Sequence, residues 1–278
     1  MQIPITIETP CFLKDHHFQG QPVLPAVEVM AILARSLVDQ HPHLSTFPIA
    51  NAYFNKFLYL QPDKNQLDAV VELENNGKKH WQASLITRSK ALKSRITRTK
   101  VHAQISIFAH PDHPRAYPYD MVSAPDICQK VVPELIYKEL VPFGPSFHTI
   151  VDLGIGTNGA LAKIKTPTIK NHTNIGLFLG SAFAIDAAFH AACVWAQYYC
   201  AVVAFPVSID RRWIFSPTCP DTVYFARVIN RHISDGHLRF DIRVFNENSE
   251  LCEAIDNVHM RDVSSGQLKP PSWIVKKQ

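Results

Sequence analysis

The chain has 278 residues, 46% of them hydrophobic and 19% charged, which is enough apolar side chain to bury one large core or two ordinary ones. Its formal net charge of +4 permits an acidic partner without demanding nucleic acid. No stretch reaches the ~18 apolar residues of a membrane span; residues 176–204 come closest, but Asp186 and His190 interrupt them and a buried helix is the better reading. Met1–Thr9 lacks the basic start and apolar run of a signal peptide. The six cysteines are scattered with no C-x-x-C pair, which points to reduced thiols in a cytoplasmic protein.

In chain order, the first informative segment is Asp15-His16-His17-Phe18-Gln19-Gly20-Gln21-Pro22-Val23-Leu24-Pro25. A helix is predicted from about Pro25 to Gln40, with Pro25 in its first turn, where a missing N–H costs nothing. The free N–H groups of that turn and the helix dipole favour an electronegative atom in front of them. Gly20 allows close backbone approach or a positive φ. A histidine just upstream is therefore positioned to act on a substrate whose oxygen the helix end holds.

Strands follow. Phe47-Pro48-Ile49 leads into a predicted strand over Ala52–Leu60, and Ala69–Leu73 and Trp81–Thr87 flank the turn signal Asn75-Asn76-Gly77. A basic stretch comes next: Arg88, Lys90, Lys93, Arg95, Arg98 and Lys100, with no acid between them. It reads either as a solvated strand edge that deters sheet pairing or as a docking face for an acidic partner. Three prolines in residues 110–119 oppose both helix and central strand, and place a boundary near residue 115, giving units 1–115 and 116–278. His41-Pro42-His43 and His110-x-x-His113 lack the companion ligands of a closed zinc site, so no metal is expected. Nucleic-acid binding is not expected either, because no aromatic residues interleave with the basic ones.

The second unit repeats the order of the first. A second apolar helix is predicted from about Gly180 to Tyr199, then Phe205-Pro206-Val207 leading to Trp213–Phe215. A hairpin of Val223–Ile229 and Leu238–Val244 follows, around Ser234-Asp235-Gly236, and then a strand over Leu251–Met260. The turn glycine lies 29 residues after the proline in the first unit (48 to 77) and 30 after it in the second (206 to 236). This is the pattern of a duplicated α+β unit, each with an antiparallel sheet wrapped around a long helix: a double hotdog.

Three motifs in this order resemble those of the polyketide synthase dehydratase domains and the related dehydratases of polyunsaturated fatty acid synthases. His16-x-x-x-Gly20-x-x-x-x-Pro25 is similar to their H-x-x-x-G-x-x-x-x-P. Val141-Pro142-Phe143-Gly144-Pro145-Ser146-Phe147-His148 is similar to Y-G-P-x-F-Q, and Asp186-x-x-x-His190 to D-x-x-x-Q/H. The resemblance covers most of the chain. It implies a double hotdog hydro-lyase that takes water from a 3-hydroxyacyl group carried on an acyl carrier protein, with no cofactor beyond the carrier's phosphopantetheine arm. It implies other synthase domains as neighbours and a homodimer as one assembly.

The residues suit that chemistry. His16 is a base for the C2 proton, because imidazole titrates near neutrality. Asp186 holds or protonates the departing hydroxyl if its apolar helix raises its pKa. Gly20 and the N–H groups after Pro25 hold the thioester oxygen, and His190, one turn from Asp186, orients it or binds the hydroxyl. Phe143, Gly144, Pro145 and Phe147 form the supporting wall. Taken singly, a histidine before a helix is a cap or a surface residue, whereas an aspartate inside an apolar helix already asks for a role. A second register remains open: His17-Phe18-x-Gly20-x-Pro22-x-x-Pro25 also resembles the single-hotdog fatty acid dehydratases, which would make His17 the base. His16 is preferred because it stands four residues before Gly20. Three departures bear on substrate preference: Ala26 for the usual glycine, Phe143 for tyrosine and His190 for glutamine. A double-bond isomerase, a hotdog thioesterase and a catalytically silent acyl-binding or scaffolding domain are the alternatives.

Overall fold

A computed structural model describes residues 1–42, 48–77, 80–90, 97–108, 126–168 and 179–277. The first half comprises β1 (Gln2–Glu8), a small hairpin of β2 (His17–Phe18) and β3 (Gln21–Pro22), α1 (Ala26–Gln40), β4 (Ile49–Phe54), β5 (Gln66–Asn75), β6 (His80–Lys90) and β7 (Thr97–Phe108). The second comprises β8 (Ile127–Val131), α2 (Pro133–Leu135) with a π-helical turn Ile136–Leu140, then β9 (Ile150–Gly156), β10 (Gly159–Lys165), α3 (Ala182–Cys200), β11 (Phe205–Ile214), β12 (Val223–Ser234), β13 (His237–Asn246) and β14 (Leu251–Arg261). The expected boundary near residue 115 lies outside the described residues.

Apart from the β2–β3 hairpin, the described strands form one twelve-stranded antiparallel sheet in the order β1-β5-β6-β7-β4-β11-β14-β13-β12-β10-β9-β8. Outward from the central β4–β11 pair, the order β4-β7-β6-β5-β1 is mirrored by β11-β14-β13-β12-β10. This mirrored order is the double hotdog, two helix-plus-meander units joined edge to edge. Ala52 pairs with Ile209 and Ala50 with Arg211 across the join.

Each helix is wrapped by its own half of the sheet. α3 is buried from Phe183 through Gln197, as a helix apolar on nearly all sides requires. α1 buries Met30, Leu33 and Leu37 completely, and side chains of that size contribute roughly 1.5–3 kcal/mol each on burial. The glycine turns behave as expected. Asp235 (φ 48°) and Gly236 (φ 76°) form a two-residue turn between β12 and β13, and Gly77 sits at φ 82° after β5.

The structure departs from the sequence expectations at several strands. β1, β7 and β8 to β10 were not anticipated. The strand expected over Ala52–Leu60 ends at Phe54, because the N–H groups of Asn55 and Lys56 turn to the His102 carbonyl (2.8 and 3.2 Å). That early end matters, since the freed residues 55–57 line a cavity between the two halves. No helix among the described residues is long and apolar enough to cross a membrane.

Candidate active site

His16 follows a 3-10 turn, Cys11–Asp15, and precedes the β2–β3 hairpin. Gln19 (φ 50°) and Gly20 (φ 76°) are the two left-handed residues of that hairpin, so the positive φ of Gly20 serves a tight turn. Gly20 does not line the cavity, contrary to the expected approach to a ligand. The hairpin folds Val23 back beside His16: the Val23 N–H donates to the His16 carbonyl at 2.8 Å, and His16 Nδ1 lies 3.1 Å from the Val23 carbonyl. A carbonyl only accepts, so Nδ1 carries the proton and Nε2 presents its lone pair.

That lone pair faces the second half of the chain. His16 Nε2 is 3.7 Å from Asp186 Oδ1. Asp186 projects from α3, and His190, one turn on, brings Nε2 to 2.8 Å from Asp186 Oδ2. Neither atom makes a well-directed hydrogen bond in this short contact, which acts chiefly electrostatically. Phe143 packs on both imidazoles, its ring centre 4.3 Å from that of His16 and 4.9 Å from that of His190. Phe147 meets His16 edge-on at 5.2 Å. Gly144 and Pro145 open the 3-10 turn that carries Phe147, directly after Phe143.

His16, Asp186 and His190 share a cavity of about 550 Å³ whose walls include Val29, Val141, Phe189 and Cys193. Asn55, Lys56, Arg261 and Ser265 line its exposed part. Ala26, the first residue of α1, also lines it, and no side chain caps that helix. Pro25 is the residue just before the helix and its carbonyl accepts the Val29 N–H. His17 of β2 pairs with Pro22 of β3 and does not line the cavity.

Burial governs the electrostatics. Burial pushes the His16 imidazole down to about 4, against the opposing pull of Asp186, so the ring is neutral at neutral pH. Burial alone would raise the Asp186 carboxyl, as expected from its apolar helix. The His190 and His16 rings beside it outweigh burial and hold it below the usual carboxylate range. Of the two roles expected for Asp186, holding the hydroxyl fits this environment better than donating a proton from a resting acid.

Sequence reasoning missed three supporting groups. Glu28 is buried in the first turn of α1, and burial together with nearby Asp186 raises its carboxyl to about 7, offset by Arg212. Arg212 is itself buried and pairs with Glu253 at 2.8 Å while donating to the Leu179 carbonyl just before α3. The His102 Nδ1–H points at the carbonyls of Lys56 and Phe57 (3.2 Å each) and its Nε2 accepts from the Thr87 hydroxyl (2.8 Å), which fixes the cavity wall. Only Glu28 left a local trace, as an acid in a helix first turn.

The described members of the basic stretch lie away from this site. Arg88 is on β6 and donates to Gln2; Arg98 and Lys100 are exposed on β7. Lys93 and Arg95, like the side chain of Lys90, lie outside the described residues.

The model of the polyketide synthase dehydratase N-terminal domain matches residues 129–270, just over half of the chain. The chain belongs to the polyketide synthase dehydratase family. Polyketide synthase PksN of Bacillus subtilis (strain 168) is 24% identical over 269 residues, covering 94% of this chain, and this chain spans 5% of that protein's length. Among solved structures, a trans-AT polyketide synthase dehydratase domain from Brevibacillus brevis superposes with a TM-score of 0.75 at 17% identity, covering 95% of this chain and 94% of that one. The dehydratase domain of the polyketide synthase PpsC from Mycobacterium tuberculosis gives 0.71 at 18% identity, covering 93% and 91%. These dehydratase structures share the fold across both halves.

Proposed function

We propose that this dehydratase-family chain removes water from a 3-hydroxyacyl thioester carried on an acyl carrier protein, giving the 2-enoyl thioester. The observation that carries this is the Nε2 of a half-buried His16, its Nδ1 held by the Val23 carbonyl, facing Asp186 at 3.7 Å inside a largely apolar cavity. His16 Nε2 takes the C2 proton, and the negative Asp186 stabilises the imidazolium that forms. Asp186 and His190 hold the 3-hydroxyl. As the C3–O bond breaks, the proton taken from C2 passes from His16 to the leaving oxygen, so one water departs and the site returns to its starting charge. The N–H groups of the first turn of α1, at Ala26, accept the charge that develops on the thioester oxygen. His17, Gly20 and Pro25 shape the segment that presents His16, and Phe143, Gly144, Pro145 and Phe147 support its ring.

The reaction needs no cofactor beyond the carrier's phosphopantetheine arm. We assign the acidic carrier to the basic stretch of Arg88, Lys90, Lys93, Arg95, Arg98 and Lys100, and divide the chain into units 1–115 and 116–278 in a cytoplasmic synthase. Mass spectrometry of a panel of 3-hydroxyacyl carrier proteins tests the reading. Loss of one water supports it. Release of the free acid, or movement of an existing double bond without loss of water, would replace it with a thioesterase or an isomerase.

A further inference from the structure

Asp15 has no part in the chemistry above, yet it joins the two halves at the residue next to His16. Its backbone carbonyl accepts the Gly144 N–H at 2.7 Å, and its carboxylate Oδ2 accepts the Ser146 N–H at 2.9 Å. Both donors belong to the start of the 3-10 turn Pro145–Phe147, which has no cap of its own: neither Gly144 nor any neighbour supplies a side-chain bond at its entry. A single residue thus satisfies two backbone groups 129 and 131 positions away.

The fit is close. A Cβ on Gly144 would stand 2.5 Å from Asp15 Cγ and Oδ1. The φ of Gly144 is −73°, open to any residue, so glycine is required there by the Asp15 side chain and not by the backbone. The two residues flanking the clamped segment, Phe143 and Phe147, are the ones whose rings enclose His16. Val23 holds Nδ1 on the other side. The charges acting on His16 come from Asp186, His190 and His17, so Asp15 acts on it by position.

We infer that Asp15 and Gly144 form an interlocking pair that holds the catalytic imidazole in its productive orientation, making Asp15 a positioning residue for the dehydration. The inference rests on the dehydratase reading given above. It is tested with Asp15→Ala, Asp15→Asn, Gly144→Ala and the double variant Asp15→Ala/Gly144→Ala in the full chain. A misplaced reacting group costs up to about 10²-fold. The expected result is a kcat lowered about tenfold or more by Asp15→Ala with KM little changed, and recovery in Asp15→Asn, whose amide oxygen still accepts from Ser146. Gly144→Ala lowers kcat as well, and the double variant is no worse than the poorer single one, because removing the carboxylate makes room for the new methyl.

Nitrogen-15 NMR of the His16 ring supplies a readout that does not need turnover. The parent and Asp15→Asn show the single Nδ1–H tautomer, and Asp15→Ala shows a mixture. Parent activity in Asp15→Ala, equal loss in Asp15→Asn, strictly additive losses in the double variant, or an unmixed tautomer in a folded Asp15→Ala would overturn the inference. A parent chain that turns over no 3-hydroxyacyl substrate counts against the dehydratase reading, and the tautomer measurement then still decides the clamp.

Discussion

The two long helices form a natural comparison, because each carries a buried carboxylate near its start and the two carboxylates have opposite surroundings. Asp186 of α3 has imidazoles on both sides, at 3.7 and 2.8 Å, and lines the cavity. Glu28 of α1 does not line it; its electrostatic neighbours are another acid, Asp186, and Arg212, already paired with Glu253. The consequence is opposite in sign. The carboxyl with histidines is held below its usual range, and the one without them is raised to about 7. The two helices are similar in place and length, and the histidines in contact decide which carboxyl is held ionised.

The largest expected effect follows from removing either member of the proposed pair, His16 or Asp186. Replacing a positioned acid–base group costs typically about 10²- to 10⁴-fold in rate, so His16→Ala and Asp186→Asn should each lower dehydration kcat by that amount. Glu28→Gln should leave it near the parent value. A collapse of kcat in Glu28→Gln with Asp186→Asn still active would reverse the assignment of the two carboxylates.

Stability sharpens the same contrast. Glu28 titrates near 7 when folded against 4.5 for the unconstrained group. The folded state therefore binds the extra proton, and stability falls as pH rises through this interval. Glu28→Gln removes that penalty: urea unfolding should show a gain of about 3 kcal/mol at pH 8 and almost none at pH 4. A pH-independent difference would mean that Glu28 is not held in its raised state.

A smaller effect lies in the pH profile. A neutral base loses activity when it is protonated, so the acidic limb of kcat/KM should follow His16 down to about 4 rather than 6.5. A limb at 6.5 would contradict His16 as the base. His17→Ala should lower kcat far less than His16→Ala, because His17 does not line the cavity.

How much of this was legible in the sequence can be argued residue by residue. Both helices were legible because their apolar runs admit little else, and the observed bounds Ala26–Gln40 and Ala182–Cys200 lie within two residues of those expected. The β12–β13 hairpin was legible because Asp235-Gly236 suits a two-residue turn. β1 was missed although Ile3, Ile5 and Ile7 alternate along it, since a seven-residue edge strand at a chain end carries few further signals. β7 was hidden by the charges of Arg98 and Lys100 on its exposed start.

His16, Asp186 and His190, singled out by motif and spacing, lie together at one cavity. Between the adjacent His16 and His17, the sequence offered only the four-residue spacing to Gly20 in favour of His16. The hairpin at Gln19-Gly20 places His17 in a strand and leaves His16 beside Val23. The Arg212–Glu253 pair and the Asp15–Gly144 contact are made between residues 41 and 129 apart, and neither member of either pair advertises the other locally.

The central claim is that a neutral His16 and an ionised Asp186, contributed by opposite halves of the chain, together remove water from a carrier-bound 3-hydroxyacyl thioester. The most direct measurement is single-turnover mass spectrometry of a 3-hydroxyacyl carrier protein with the parent chain, His16→Ala and Asp186→Asn, using substrate deuterated at C2. The account predicts loss of water with loss of one deuterium in the parent, and neither event in the two variants. Water loss that persists in His16→Ala, or that retains both deuterium atoms at C2, would contradict it.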